Sequence, residues 1–157
     1  CERHGVAPGS IELELTESAL VTDVAHVEKL LGRLRKHGFC LSLDDFGTGY
    51  SSLSHLRNLP FHKVKIDRSF VMDLERSAKS QVMLDGLVHL CSKLGLATVA
   101  EGVETEGQFK LLSDMGVTEF QGYLFARPQW HAHWLASLRE QATGIPQIDG
   151  ASVASSS

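Results

Sequence analysis

Val24–Asp45 reads VAHVEKLLGRLRKHGFCLSLDD, and one structural unit can be read from it directly. Val24, Val27, Leu30, Leu31 and Leu34 recur at spacings of three, four and seven, which line one face of an α-helix. The pattern predicts a helix over Val24–His37, and Gly38 is suited to end it. Phe39–Leu43 follows as a short apolar run of the kind that forms a buried strand, and it runs directly into Asp44-Asp45. The unit is therefore helix, stop, strand, carboxylate pair.

Strands and helices alternate on both sides, without a visible internal sequence repeat. Strands are predicted at Ile11–Leu15, Lys63–Ile66, Leu96–Ala100 and Glu119–Leu124. Between them lie a short helix over Ser51–Leu59, ended by Pro60, and a longer one over Ser77–Leu94 with Gly95 as its stop. In the longer helix Met83, Leu87, Leu90, Cys91 and Leu94 are expected on one buried face. A further helix starts at Thr105, where Thr105 and Gln108 have capping-box spacing, and ends near Met115-Gly116. A last helix is expected after Pro128, through Trp130, Trp134 and Leu138. Strand–helix alternation implies an α/β fold with parallel strands covered by helices, and both a doubly wound sheet and a (β/α) barrel fit it. One domain is expected over residues 1–141. Residues 142–157, rich in Gly, Ser and Ala, are expected to be a disordered tail.

Composition narrows the function classes. The chain has 157 residues, 43% apolar and 22% charged, which is ordinary globular composition for one domain. Its net charge of −4 makes it a poor binder of long nucleic acid, which needs a basic face. No apolar run approaches the ~20 residues that span a bilayer, and the start has no signal-peptide h-region, so no membrane contact is expected from this segment. The chain does not begin with Met and reads as a piece of a longer protein, one whose other segments could anchor it to a membrane. Cys1, Cys40 and Cys91 are far apart and form no C-x-x-C pair, which argues against a zinc site or a disulfide framework and fits a reducing cytoplasm. Cys40 and Cys91, among apolar neighbours, are expected in the core.

The carboxylates fall at strand ends. Glu14 and Glu17 close the first strand run, Asp44 and Asp45 the second, Asp67 the third and Glu101 and Glu104 the fourth. In parallel α/β folds these ends share one rim, where active sites form. Carboxylates gathered there stay ionised only beside cations, and oxygen-only ligands suit Mg²⁺ or Mn²⁺. Adjacent aspartates can serve two ions ~3.5–4 Å apart, the clamp used for phosphodiester hydrolysis, with Lys65 as a fixed positive charge near the phosphoryl oxygens. Any one of these residues could equally be a helix cap or a solvated loop residue; their repetition over consecutive strands carries the reading. Asp67, before Arg68-Ser69, reads better as a cap, and Glu12 as a solvent-facing strand residue. The glycines of Asp44–Tyr50 (DDFGTGY) fit a mobile loop over the site or a plain tight turn. His131 and His133 fall in the last predicted helix and read as surface residues.

Five motifs, in order, resemble those of EAL domains: Glu14–Ser18 (ELTES), Asp44–Leu53 (DDFGTGYSSL), Val64–Asp67 (VKID), Ala100–Thr105 (AEGVET) and Gln121–Pro128 (QGYLFARP). The resemblance implies a TIM-like barrel with one antiparallel strand, of which this chain holds the later strand–helix units. It implies metal-dependent hydrolysis of one phosphodiester bond of cyclic di-GMP, giving linear pGpG in bacterial signalling. The implied metal ligands are Glu14, Asp44 and Asp45, with Glu101 close to a metal-bound water. Lys65 would touch the hydrolytic water, Asp45 and Glu101 handle protons, Glu104 and Gln121 support the site or ligand, and Glu17 anchors the signature loop.

One departure is large. The E-A/V-L motif, an asparagine ligand and an arginine near the ligand phosphate are absent and would lie upstream of Cys1. The segment alone is therefore expected to be inactive. Competing readings are a receptor that binds cyclic di-GMP without cutting it, and a partner-docking domain. Homodimerisation and a parent carrying GGDEF or sensory domains are expectations of the resemblance alone.

Overall fold

The computed structural model describes residues 1–20, 24–47 and 53–128. Five strands alternate with helices among them: β1 (Glu12–Thr16), α1 (Val24–Lys36), β2 (Cys40–Phe46), α2 (Leu53–Asn58), β3 (Lys63–Ile66), α3 (Arg68–Met72), α4 (Ala78–Lys93), β4 (Ala97–Glu101), α5 (Glu106–Asp114) and β5 (Glu119–Gln121). All four described pairings are parallel, and the strands lie in the order β1-β2-β3-β4-β5. That order separates the two candidate architectures. A doubly wound sheet reverses direction at a switch point, whereas a barrel lays each new strand beside the last. The sheet is an arc of a (β/α) barrel, with β1 and β5 as its edges among the described residues. The antiparallel strand that the resemblance implies is not one of these pairings.

Alternation divides the sheet into two chemically different faces. Leu13, Leu15, Leu41, Leu43 and Val64 meet α1 and α2 in one apolar cluster; Ile66 and Ala100 meet α3, α4 and α5 in a second. The other face carries Glu12, Glu14, Ser42, Asp44, Lys63, Lys65, Glu101 and Gln121, with Cys40, Ala97 and Val99 among them, and is mostly polar. Thr105 and Gln108 form the expected capping box, and Asp67 caps α3 by accepting the Ser69 N–H at 2.9 Å.

Four expectations need correction. In α4 the buried residues are Leu84, Val88 and Cys91, while Met83 is 56% and Leu94 40% exposed. Leu84, Val88 and Cys91 pack into the apolar clusters against the sheet and share one side of the helix with Gln81, which donates to the Leu74 carbonyl at 2.8 Å. In α1 the stripe centres on buried Leu31, flanked by Val27 and Leu34, and Leu30 is exposed. Cys91 is fully buried, its thiol pushed up to about 11 by burial. Cys40 is instead half-buried on the polar face, where burial and then Glu12 raise its thiol pKa. Finally, β2 continues three residues beyond Leu43, where the strand was expected to end. The helix expected after Pro128, the 142–157 tail, the histidines at 131 and 133, and residues 48–52 of the signature loop lie outside the described residues.

Candidate active site

The extension of β2 builds the site. Leu43 pairs with Val64 and Phe46 with Ile66, so Asp44 and Asp45 together oppose the single residue Lys65. This is a β-bulge, and Asp45 takes φ +55°, a left-handed conformation that Asp tolerates better than most residues. In a regular strand adjacent side chains point to opposite faces. Here the bulge turns both carboxylates to one place: oxygens of Asp44, Asp45 and Glu101 lie within 4.8 Å of one another.

Lys65 sits at the centre of the rim, 7% exposed. Its ammonium lies 2.8 Å from Glu101 Oε1, 2.9 Å from Glu14 Oε1 and 3.0 Å from Asp44 Oδ1. Burial works to lower its pKa, but the hydrogen bonds it donates to Glu101, Glu14 and Asp44 outweigh it and hold the pKa above the ordinary lysine value. Lys65 is therefore a permanent cation shared by carboxylates from β1, β2 and β4. A second lysine repeats the arrangement two residues earlier, at the other end of β3. Lys63 bonds Glu119 at 2.8 Å and Glu12 at 2.9 Å, and those bonds raise its pKa. Glu12 is exposed, as expected, and also ion-paired.

A cleft of about 380 Å³ opens beside Asp45 and Glu101. Asp67 and Arg68 wall it after β3, Glu101, Gly102 and Glu104 after β4, and Gln121, Gly122 and Tyr123 after β5, with Asp45 beside them. Gly102 has φ +69°, and a Cβ there would come within 2.6 Å of Arg68 Cβ, so the glycine lets the two walls meet. Asp67 thus both caps α3 and lines the cleft; its Ser69 bond holds its carboxyl below the usual range.

Glu17 lies apart from the cleft. It is buried, and one carboxylate oxygen accepts the Gly47 N–H at 3.3 Å while the other has no partner among the described residues. Gly47 has φ +97°, and a Cβ there would strike the Phe70 ring.

Of the expected site residues, the structure brings Glu14, Asp44 and Glu101 onto Lys65, gathers Asp45 with Asp44 and Glu101, and sets Glu104 and Gln121 in the cleft. Glu17 stands at the base of the glycine loop. Arg68 and Tyr123 were not expected. Each lies within two residues of a strand's carboxyl end, and Tyr123 also falls inside the Gln121–Pro128 motif, which was the signal available for it.

The donors are all carboxylate oxygens, which fits a hard divalent cation and no softer metal. No described helix is long and apolar enough to cross a membrane.

The family profile described as EAL domain matches residues 1–128. Cyclic di-GMP phosphodiesterase NbdA of Pseudomonas aeruginosa is 46% identical over 127 residues, which are 81% of this chain and 16% of that protein. The crystal structure of the EAL domain of Mycobacterium smegmatis DcpA superposes with TM-score 0.83 at 37% identity, covering 88% of this chain and 62% of that one. Klebsiella pneumoniae BlrP1, in a manganese and cyclic di-GMP complex, gives TM-score 0.76 at 38% identity over 81% of this chain and 32% of that one. The chain thus spans less than two thirds of the length of each.

Proposed function

The chain belongs to the EAL domain family, and from that membership we propose that it carries the later strand–helix units of a metal-dependent phosphodiesterase that opens cyclic di-GMP to linear pGpG. The convergence of Asp44, Asp45 and Glu101 beside Lys65 carries the proposal. It is supported by NbdA's name and by the ligands in the BlrP1 complex.

Glu14, Asp44, Asp45 and Glu101 are the residues that would hold Mg²⁺ or Mn²⁺. When bound, such ions acidify a water and neutralise phosphoryl charge. Lys65, held protonated by its carboxylates, keeps a positive charge beside the reacting phosphoryl group. Asp45 and Glu101 take and return the proton, Glu104 and Gln121 hold the ligand in the cleft, and Glu17 secures the loop that begins at Gly47. Two further ligands, a Glu and an Asn, are proposed to come from preceding strands. An arc with open edges does not supply them, so the segment assayed alone is expected to be inactive. The setting proposed is cytoplasmic.

The test compares the chain as it stands with the chain extended upstream of Cys1 to the start of its coding region. Hydrolysis of cyclic di-GMP is followed with Mg²⁺, Mn²⁺ and EDTA. The extended chain should release pGpG only with metal, and Glu101→Ala should slow it ~10²-fold or more. Binding without turnover in the extended chain would make it a receptor. Turnover by the short chain alone would refute the claim that it needs upstream ligands.

A further inference from the structure

The loops that wall the cleft are tied together behind it, and several ties run through one side chain. Gln108, in the first turn of α5, is only 6% exposed. Its Oε1 accepts the N–H of Glu104 at 2.8 Å and of Thr105 at 3.1 Å, and the Gln108 backbone N–H donates to Thr105 Oγ1 at 3.0 Å. A capping box needs only the exchange with Thr105. Two bonds go beyond it. The Glu104 amide belongs to a cleft residue, and Gln108 Nε2 donates at 3.3 Å to the carbonyl of Val71. Val71 lies in α3, the helix that starts directly after Asp67, beside Arg68 in the cleft wall. On its other side the same segment is held to the β5 loop: Val103 N–H donates to the Gln121 carbonyl at 3.1 Å, and its carbonyl accepts the Leu124 N–H at 3.0 Å.

A side chain that accepts two backbone N–H groups and donates to a carbonyl must be an amide of glutamine's length. Glutamate cannot donate, and leucine can do neither. A buried amide held by three hydrogen bonds fixes geometry, because each alternative position leaves a polar atom unpaired.

We propose that Gln108 is a positioning residue for the cleft: it fixes the Glu104 backbone and, through the Val71 carbonyl, the spacing of the β3 and β4 walls. This rests on the hydrolase reading above. The test uses the extended chain with Gln108→Leu, Gln108→Glu and Thr105→Ala, measuring Tm, Mn²⁺ affinity by calorimetry, and KM and kcat on cyclic di-GMP. Thr105→Ala removes the cap and the Glu75 contact but leaves both extra Gln108 bonds, so it reports those two losses without the Gln108 tie.

Gln108→Leu and Thr105→Ala should both lower Tm. Only Gln108→Leu should lose on the order of 10²-fold in kcat/KM, with Thr105→Ala within about threefold of wild type. Gln108→Glu, which keeps the acceptor and loses the Val71 bond, should fall between them, and it replaces Gln108→Leu if that variant does not fold. Parallel losses in the Gln108 and Thr105 variants, or wild-type kinetics in Gln108→Glu, would overturn the inference while the hydrolase reading stands. A wild type that neither binds Mn²⁺ nor cuts cyclic di-GMP would overturn both.

Discussion

Asp45 shows what a sequence can and cannot convey about a single residue. That it is a carboxylate at a strand end was legible. That it shares a face with Asp44 was not, because the bulge that aims it depends on how β2 registers against β3, a contact between distant parts of the chain. Lys65 was legible as a cation at the rim, but its role as a common partner of Glu14, Asp44 and Glu101 appears only once three strands lie side by side. Removing it leaves those carboxylates facing one another. Lys65→Met should therefore lower stability in EDTA, by less than the ~3–5 kcal/mol of a fully buried pair because Glu14 is 46% exposed. Mn²⁺ should restore much of the loss, and thermal melts with and without metal measure both effects. His62 gives a pH signature. Its Nδ1 accepts the Leu41 N–H at 3.1 Å, and burial, then Arg35, lower its pKa, with Glu12 opposing. The unfolded chain thus binds this proton more readily than the fold, so stability is lost as pH falls below His62's ordinary value of about 6.5. From about pH 7 to about pH 5 the Tm of wild type should drop further than that of His62→Asn, which keeps an acceptor but does not titrate.

At the scale of elements, capping chemistry was the most readable signal. The Thr105–Gln108 box, the Asp67 cap and the glycine stops stand where local spacing put them, since each is decided within a few residues. The buried side of α4 was not readable. Val82, Met83, Leu84, Leu87, Val88, Leu90, Cys91 and Leu94 offer overlapping apolar stripes, and the packing of Leu84, Val88 and Cys91 into the apolar clusters against the sheet, a contact between distant parts of the chain, selects among them. The structure makes the selection measurable. Leu84→Ala should cost ~2–5 kcal/mol in chemical denaturation, and Met83→Ala no more than about 0.5. Equal costs would mean that the helix is rotated from the position described. α3 went unread because five residues following a strand carry too little periodicity to announce a helix.

For the molecule as a whole, strand–helix alternation gave the class of fold, and strand order decided between barrel arc and doubly wound sheet. No local pattern encodes that order, so it could not have been read beforehand from periodicity. The polar face then shows its plan. Lys63 draws on Glu12 from β1 and Glu119 from β5, while Lys65 draws on β1, β2 and β4. Lys63→Met should cost about 1 kcal/mol, as partly exposed pairs do, and leave Mn²⁺ affinity unchanged. A loss of metal binding in that variant would show that the two layers are not independent. If they are, the lower lysine gives the family a way to drift. A descendant that surrendered Asp44 or Glu101 would keep its sheet pinned from β1 to β5, so its shape could be inherited after its chemistry had gone.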